Sequence, residues 1–254
     1  MKKQAVSLDY LPARALVFSA VALLSIADLA KSDAPEARFR PALIGNGPKA
    51  LINLIDTNKL MEKGQGNAAI SFQCFVSSAG GPVNAVTYRG TRESKALDSE
   101  VNSALERCRF IPAIYNGKPT AVLFHGSVFF VVADGKPHLR IYANQNHDDI
   151  AKGNDFIAPQ LIAGTTHKVS LRDELAKAGI HHQKGVVELT TIVDANGNQK
   201  GIKMLSEDPP GFNFGYVALE LFSGAKYIPS FRNGRPVDCT FNHYDWFWPL
   251  YRSR

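Results

Sequence analysis

Histidine and cysteine are the residues of this 254-residue chain best suited to metal or nucleophilic chemistry, and there are seven of the first and three of the second. The local groupings are His147-Asp148-Asp149, His181-His182 and His243-Tyr244-Asp245. On a strand, side chains alternate faces, so His243 and Asp245 would lie together and could orient an imidazole or supply two ligands. A zinc site needs a third donor at least, and none stands near any of the three groupings in sequence, so solvated histidine is the plainer reading. Cys74, Cys108 and Cys239 fit no zinc spacing. Gly-x-Ser-x-Gly, phosphate-loop, dinucleotide and His-Glu-x-x-His motifs are absent. The expectation is a non-enzymatic chain with no catalytic residue, no metal site and no small-molecule cofactor.

The elements that position these residues are legible in a repeat. Arg109-Phe110-Ile111-Pro112-Ala113-Ile114-Tyr115-Asn116-Gly117-Lys118-Pro119 recurs 117 residues later as Lys226-Tyr227-Ile228-Pro229-Ser230-Phe231-Arg232-Asn233-Gly234-Arg235-Pro236. Asn-Gly is a strong hairpin signal, because a type I′ turn needs positive φ at both central residues. The prolines keep these stretches out of helix interiors and at strand ends or edges. Two copies of one module follow, at 39–132 and 156–248. Residues 133–155, with Asp134-Gly135-Lys136-Pro137, read as their connector.

Each module reads as a short helix (Leu51, Leu54, Ile55 and Leu60; Leu171, Leu175 and Ala178), a two-stranded hairpin, a longer helix and a last strand. Ser170 is a candidate N-cap and Gly179 a stop. Ile70, Phe72, Cys74 and Val76 share one strand face, and Leu97, Val101, Ala104, Leu105 and Cys108 form one helix stripe. The apolar phase of the second hairpin strand differs between copies, which implies a one-residue offset. The fold expected is α+β: two tandem small domains, each a three-stranded antiparallel sheet packed by helices.

A hydrophobic content of 45% with 20% charged residues is ordinary for a globular chain. The net charge of +6 is spread without a run of five like charges, so no nucleic-acid arm is expected. Lys2, Lys3 and Arg14 precede an apolar run from Ala15 to Ile26, with small residues at Ala27 and Ala30. Residues 1–30 therefore read as a signal peptide, with an uncleaved inner-membrane anchor as the alternative. The mature chain is expected in the periplasm or secreted. An oxidising compartment would favour a Cys74–Cys108 disulfide within the first module; three buried thiols is the other reading.

Phe110-Ile111-Pro112-Ala113 with Asn116-Gly117-Lys118-Pro119, and Asp194-Ala195-Asn196-Gly197 with Asn233-Gly234-Arg235-Pro236, set in this order of elements, resemble the TonB carboxy-terminal domain family, here as a tandem. The anchor histidine and proline-rich spacer of energy-transducing members are absent. The resemblance implies a periplasmic domain that engages an extended segment of an envelope protein by strand addition, and a link to TonB-type transport across the outer membrane. The pairing backbones would then be Thr120 to Phe124 and Val237 to Phe241, with Lys118 and Arg235 as flanking cations and Thr120, Val122, Phe124, Val237, Cys239 and Phe241 along the edges. Against this stands burial of the same strands between modules or under the connector, since exposed apolar edges are usually protected. From another class, a hydrolase or metal-dependent enzyme would place its site between the two domains.

Overall fold

A computed structural model describes residues 38–153, 155–166, 171–180 and 183–247. It shows a mixed α and β architecture with several small antiparallel sheets. The first half runs β1 (Phe39–Arg40), α1 (Leu51–Leu54), α2 (Thr57–Glu62), β2 (Ala68–Val76), β3 (Pro82–Gly90), α3 (Lys95–Arg107), β4 (Ala113–Tyr115), β5 (Lys118–Thr120), β6 (Val122–Ala133), β7 (Lys136–Tyr142) and α4 (His147–Lys152). The second runs β8 (Gln160–Leu161), α5 (Leu171–Lys177), β9 (Gly185–Val193), β10 (Gln199–Asp208), α6 (Phe214–Phe222), β11 (Tyr227–Ile228), β12 (Ser230–Arg232), β13 (Arg235–Val237) and β14 (Cys239–Phe247).

The duplication survives in the register. In the first half Cys74 pairs with Phe124, Phe72 with Gly126 and Ile70 with Val128. In the second, Thr191 pairs with Phe241, Leu189 with His243 and Val187 with Asp245, each residue 117 positions after its counterpart. Volumes are exchanged in compensation. Opposite Gly126 lies Phe72, whose ring a β-carbon there would overlap, whereas opposite the larger His243 lies the smaller Leu189. Likewise Ala68 and Leu97 of the first module correspond to Gly185 and Phe214 of the second, where the ring occupies the space of the missing methyl. Interiors at crystal-like density leave no other way to enlarge one residue of a pair.

Turn chemistry also repeats. Asn116-Gly117, Asn233-Gly234 and Asp134-Gly135 all have positive φ at both positions, the type I′ requirement. The third of these turns gives the largest departure from expectation. It folds the predicted connector back as β7, which pairs with β6 from Ser127 to Ala133. The first sheet is therefore four-stranded, in the order β3-β2-β6-β7, while the second is three-stranded, β10-β9-β14. The offset between the hairpins comes from bulges. In β3 they fall about Asn84 and Arg89, both at positive φ, and in β10 between Gln199 and Gly201 and between Met204 and Ser206.

Side chains of β2 alternate, and Ala68, Ile70, Phe72, Cys74 and Val76 are buried in one core with Leu97, Val101, Ala104 and Leu105 of α3. That core also takes in Ile162, Ile228 and Phe231, and the second core takes in Leu123 and packs against Phe75. The Gln160 side chain accepts from Ala42 N at 2.7 Å and donates to Ala42 O at 2.9 Å, imitating a strand partner across the duplication. The short first helix is two helices, α1 and α2, in the first module and α5 alone in the second, ended by Gly179 at φ +75°.

Cys74, Cys108 and Cys239 are all free thiols in this structure, so the Cys74–Cys108 bridge is not formed. Both partners are buried in the first core, and burial pushes Cys74 up to about 12 and Cys108 up to about 11, leaving them protonated and poorly nucleophilic. No helix of the described residues is long and apolar enough to cross a membrane. The segment 1–30 expected as a signal peptide, Ser170 and residues 248–254 lie outside the described residues.

Candidate functional site

The face of the first sheet turned away from its helices carries Gln73 and Phe75 on β2 and Leu123 and His125 on β6, and in most four-stranded sheets backed by one helical layer such a face meets water. Here it meets the second module. A cavity of about 730 Å³ lies between them, walled by Phe75 and Leu123 on one side and by Leu161, Leu221 and Phe222 on the other. Tyr88 and Trp246 meet edge to face at its margin, with ring centroids 6.1 Å apart, and Arg89 lies over the Tyr244 ring at 3.9 Å. Asp245 and Gln73 bring polar atoms to it.

The second core is polar where the first is apolar. Thr191, Tyr227, His243 and Asp245 occupy the positions of Cys74, Phe110, Gly126 and Val128. The Thr191 hydroxyl and His243 Nε2 are 3.1 Å apart, and His243 Nδ1 stands 3.6 Å from Asp245 Oδ2. Burial alone lowers the His125 imidazole to about 4, and burial with nearby His125 lowers His243 to about 3. Burial raises the Asp245 carboxyl to about 7. Asp245 Oδ2, Gln73 Oε1 and the Tyr227 hydroxyl are buried without a hydrogen-bond partner.

A hydroxyl, an imidazole and a carboxylate in line invite comparison with a hydrolase triad. Thr191 has no exposed surface, however, and His243 is 3% exposed, so no substrate carbonyl can reach the hydroxyl. The imidazole packs against Phe222 and Phe241, and the chain of contacts serves the packing of the second sheet. Among the described residues no three His, Cys, Asp or Glu side chains are grouped to hold a metal ion. His147 is solvent-exposed at the start of α4, and His181-His182 lies outside the described residues.

Neither a family model, nor a curated protein, nor a solved structure matches this chain. The site is therefore read from its own geometry.

The edge-strand residues divide by module. Lys118 and Thr120 lie in β5 and pair back onto β4, outside the last strand. Val122 and Phe124 pair with Val76 and Cys74 of β2, and on its other side Val122 meets Ile162 while Ala163 N donates to Ala121 O at 2.9 Å. From Ser127 to Ala133 the same side of β6 is covered by β7, which follows from the Asp134-Gly135 turn. Arg235 and Val237 lie in β13, paired with β12. Cys239 and Phe241 belong to β14, which pairs with β9 on one side only. No backbone hydrogen bond of the described residues engages its other side. Sequence reasoning singled out Asp245 only as a neighbour of His243 and Trp246 only as part of an aromatic stretch, Tyr244 to Tyr251, that reads as a seam between modules or a docking patch, and it gave no role to Gln73 or Tyr88. The available signal was polar residues at positions that the other copy fills with apolar ones.

The buried ionisable groups set a pH dependence. His125 and His243 have folded values below the ordinary 6.5, so the stability they confer is complete above pH 6.5 and is lost as pH falls toward 4. Asp245, raised from 3.8 to about 7, acts oppositely and favours the folded state as it takes up its proton. Between about pH 4.5 and 5.5 the unfolded chain thus binds about two more protons at the histidines and one fewer at the aspartate, a net of about one. Stability is expected to fall by about 1.4 kcal/mol per pH unit of acidification in this window. Urea denaturation at pH 5.5 and 4.5 measures it, and His243→Asn should remove most of the slope.

Proposed function

We propose that the chain is a two-module envelope binding protein, without catalytic activity, that receives an extended peptide segment along the free side of β14. The observation that carries this reading is the asymmetry of the two last strands: β6 is paired on both sides at Val122 and from Ser127 to Ala133, while among the described residues β14 pairs on one side only and contributes Asp245 and Trp246 to the cavity between the modules. An edge strand with open backbone N–H and C=O groups is a template for strand addition, and alternate side chains of the added strand enter whatever pocket lies beside it. The resemblance of both copies to the TonB carboxy-terminal domain supports the same mode, as does the basic start and apolar run of residues 1–30, the pattern expected of an export signal. The tandem TonB-like arrangement and the periplasmic location belong to this proposal.

Titration of isotope-labelled protein with an extended peptide from an outer-membrane transporter tests it. Amide shifts are expected along Cys239–Phe247, and methylation of alternate peptide nitrogens should weaken binding about tenfold by removing ladder hydrogen bonds. Shifts confined to β3 or β7, or an affinity indifferent to methylation, would overturn the assignment.

A further inference from the structure

The polar set of the second module is not explained by strand addition. Thr191 and His243 satisfy each other at 3.1 Å, but Asp245 Oδ2 is buried without a partner, and the 3.6 Å to His243 Nδ1 is beyond hydrogen-bond range. Among the described residues none of the recorded Lys or Arg ion pairs falls on Asp245. A buried carboxylate left alone is strongly unfavourable, and the first module avoids it with Val128 at the same register position. Retention of such a group beside a cavity is what a site for a complementary charge requires.

Gln73, whose Oε1 is likewise buried and unpartnered, also lines the cavity. The two acceptors come from different modules, Gln73 from β2 and Asp245 from β14. Around them the lining is largely apolar and includes Phe75, Tyr88, Phe222 and Trp246. Aromatic faces attract a cation and also cover an apolar stem. Each feature discriminates. The carboxylate disfavours an anion, an unpartnered acceptor calls for an N–H donor, and a quaternary ammonium has none to give.

We infer that this cavity binds a primary ammonium group on an apolar stem, its N–H donors directed at the Asp245 carboxylate, whose side chain keeps 17% of its surface exposed, and at the Gln73 side-chain amide, and its stem lying against Phe75, Phe222 and Trp246. The ammonium belongs either to a free alkyl or arylalkyl amine or to a lysine side chain of a segment lying along β14. In the second case alone the inference rests on the peptide reading above.

Calorimetric titration of the full chain with phenethylammonium and hexylammonium, against phenethyl alcohol and hexanol of nearly the same shape, tests the chemistry. Each amine should bind at least about tenfold more tightly than its alcohol. Asp245→Asn, isosteric and checked for folding by its thermal transition, should reduce that preference below about threefold. Gln73→Leu should weaken amine binding while leaving the alcohols unchanged. Equal affinities for amine and alcohol, binding of neither, or an amine preference that survives Asp245→Asn would each overturn the inference. A peptide with one lysine, compared with its norleucine analogue, identifies the source. A lysine preference lost in Asp245→Asn assigns the ammonium to a bound segment, and peptides that bind alike beside free amines that bind tightly assign it to a small molecule. If methylated peptides still bind but the amine selectivity holds, strand addition fails and the ammonium site stands.

Discussion

Gly197→Ala is expected to destabilise the protein by about 3 kcal/mol. Gly197 closes the β9–β10 hairpin at φ +78°, a conformation that alone costs an L-residue about 1 kcal/mol. The larger part comes from close approach. Gly197 O accepts from Tyr227 N at 3.0 Å, and a β-carbon on Gly197 would overlap the Tyr227 carbonyl oxygen. Because that neighbour is backbone, relief means pulling the hairpin away from the segment that leads into β11. Gly80 makes the same approach to Phe110 at the equivalent place, so Gly80→Ala should cost a similar amount. Gly224 supplies the control, with φ +71° and open space where a β-carbon would stand, and Gly224→Ala should lose only about 1 kcal/mol. Urea denaturation of the three variants decides it: equal losses at Gly197 and Gly224 would show that backbone strain, not crowding, makes the residue necessary.

Asp245→Val should do the opposite and stabilise the protein by about 2 kcal/mol at pH 8. Valine is the residue that the first module carries at this register position, and it suits a strand buried on one face. The gain depends on pH in a defined sense. With a folded value of about 7 against 3.8 unfolded, Asp245 is charged and unpartnered in the folded chain above pH 7, where its removal helps most. As pH falls toward 4 the folded carboxyl is neutral and the advantage of valine shrinks. A stabilisation that is greater at pH 8 than at pH 5, accompanied by loss of amine binding, would identify Asp245 as a group held for function at the expense of stability. A gain of equal size at both pH values would remove that interpretation.

The repeat made much of this fold legible in advance. Ile70, Phe72, Cys74 and Val76 fell on one buried face because strand periodicity is a local property, and Leu97, Val101, Ala104 and Leu105 formed the helix stripe for the same reason. The Asn-Gly turns took their type from residues that tolerate positive φ. Asp134-Gly135 carries the same signal, yet its consequence was missed, because whether residues 136–142 leave as a connector or return as a strand depends on the open side of β6, a partner far away in sequence until the sheet forms.

The candidate site was less legible. The shared face of His243 and Asp245 could be read from their spacing, but their environment could not. By itself the sequence determined the duplicated module, its helices and hairpins and the turns that join them, since each follows from residues close along the chain. Only the tertiary structure decided that β6 takes a second partner along much of its length while β14, among the described residues, pairs on one side only, and that the outer face of the first sheet turns toward the second module. It also set Gln73 and Asp245, from different modules, on one cavity. Those outcomes depend on how two related but unequal units bury surface against each other, a competition between distant surfaces that no local pattern records.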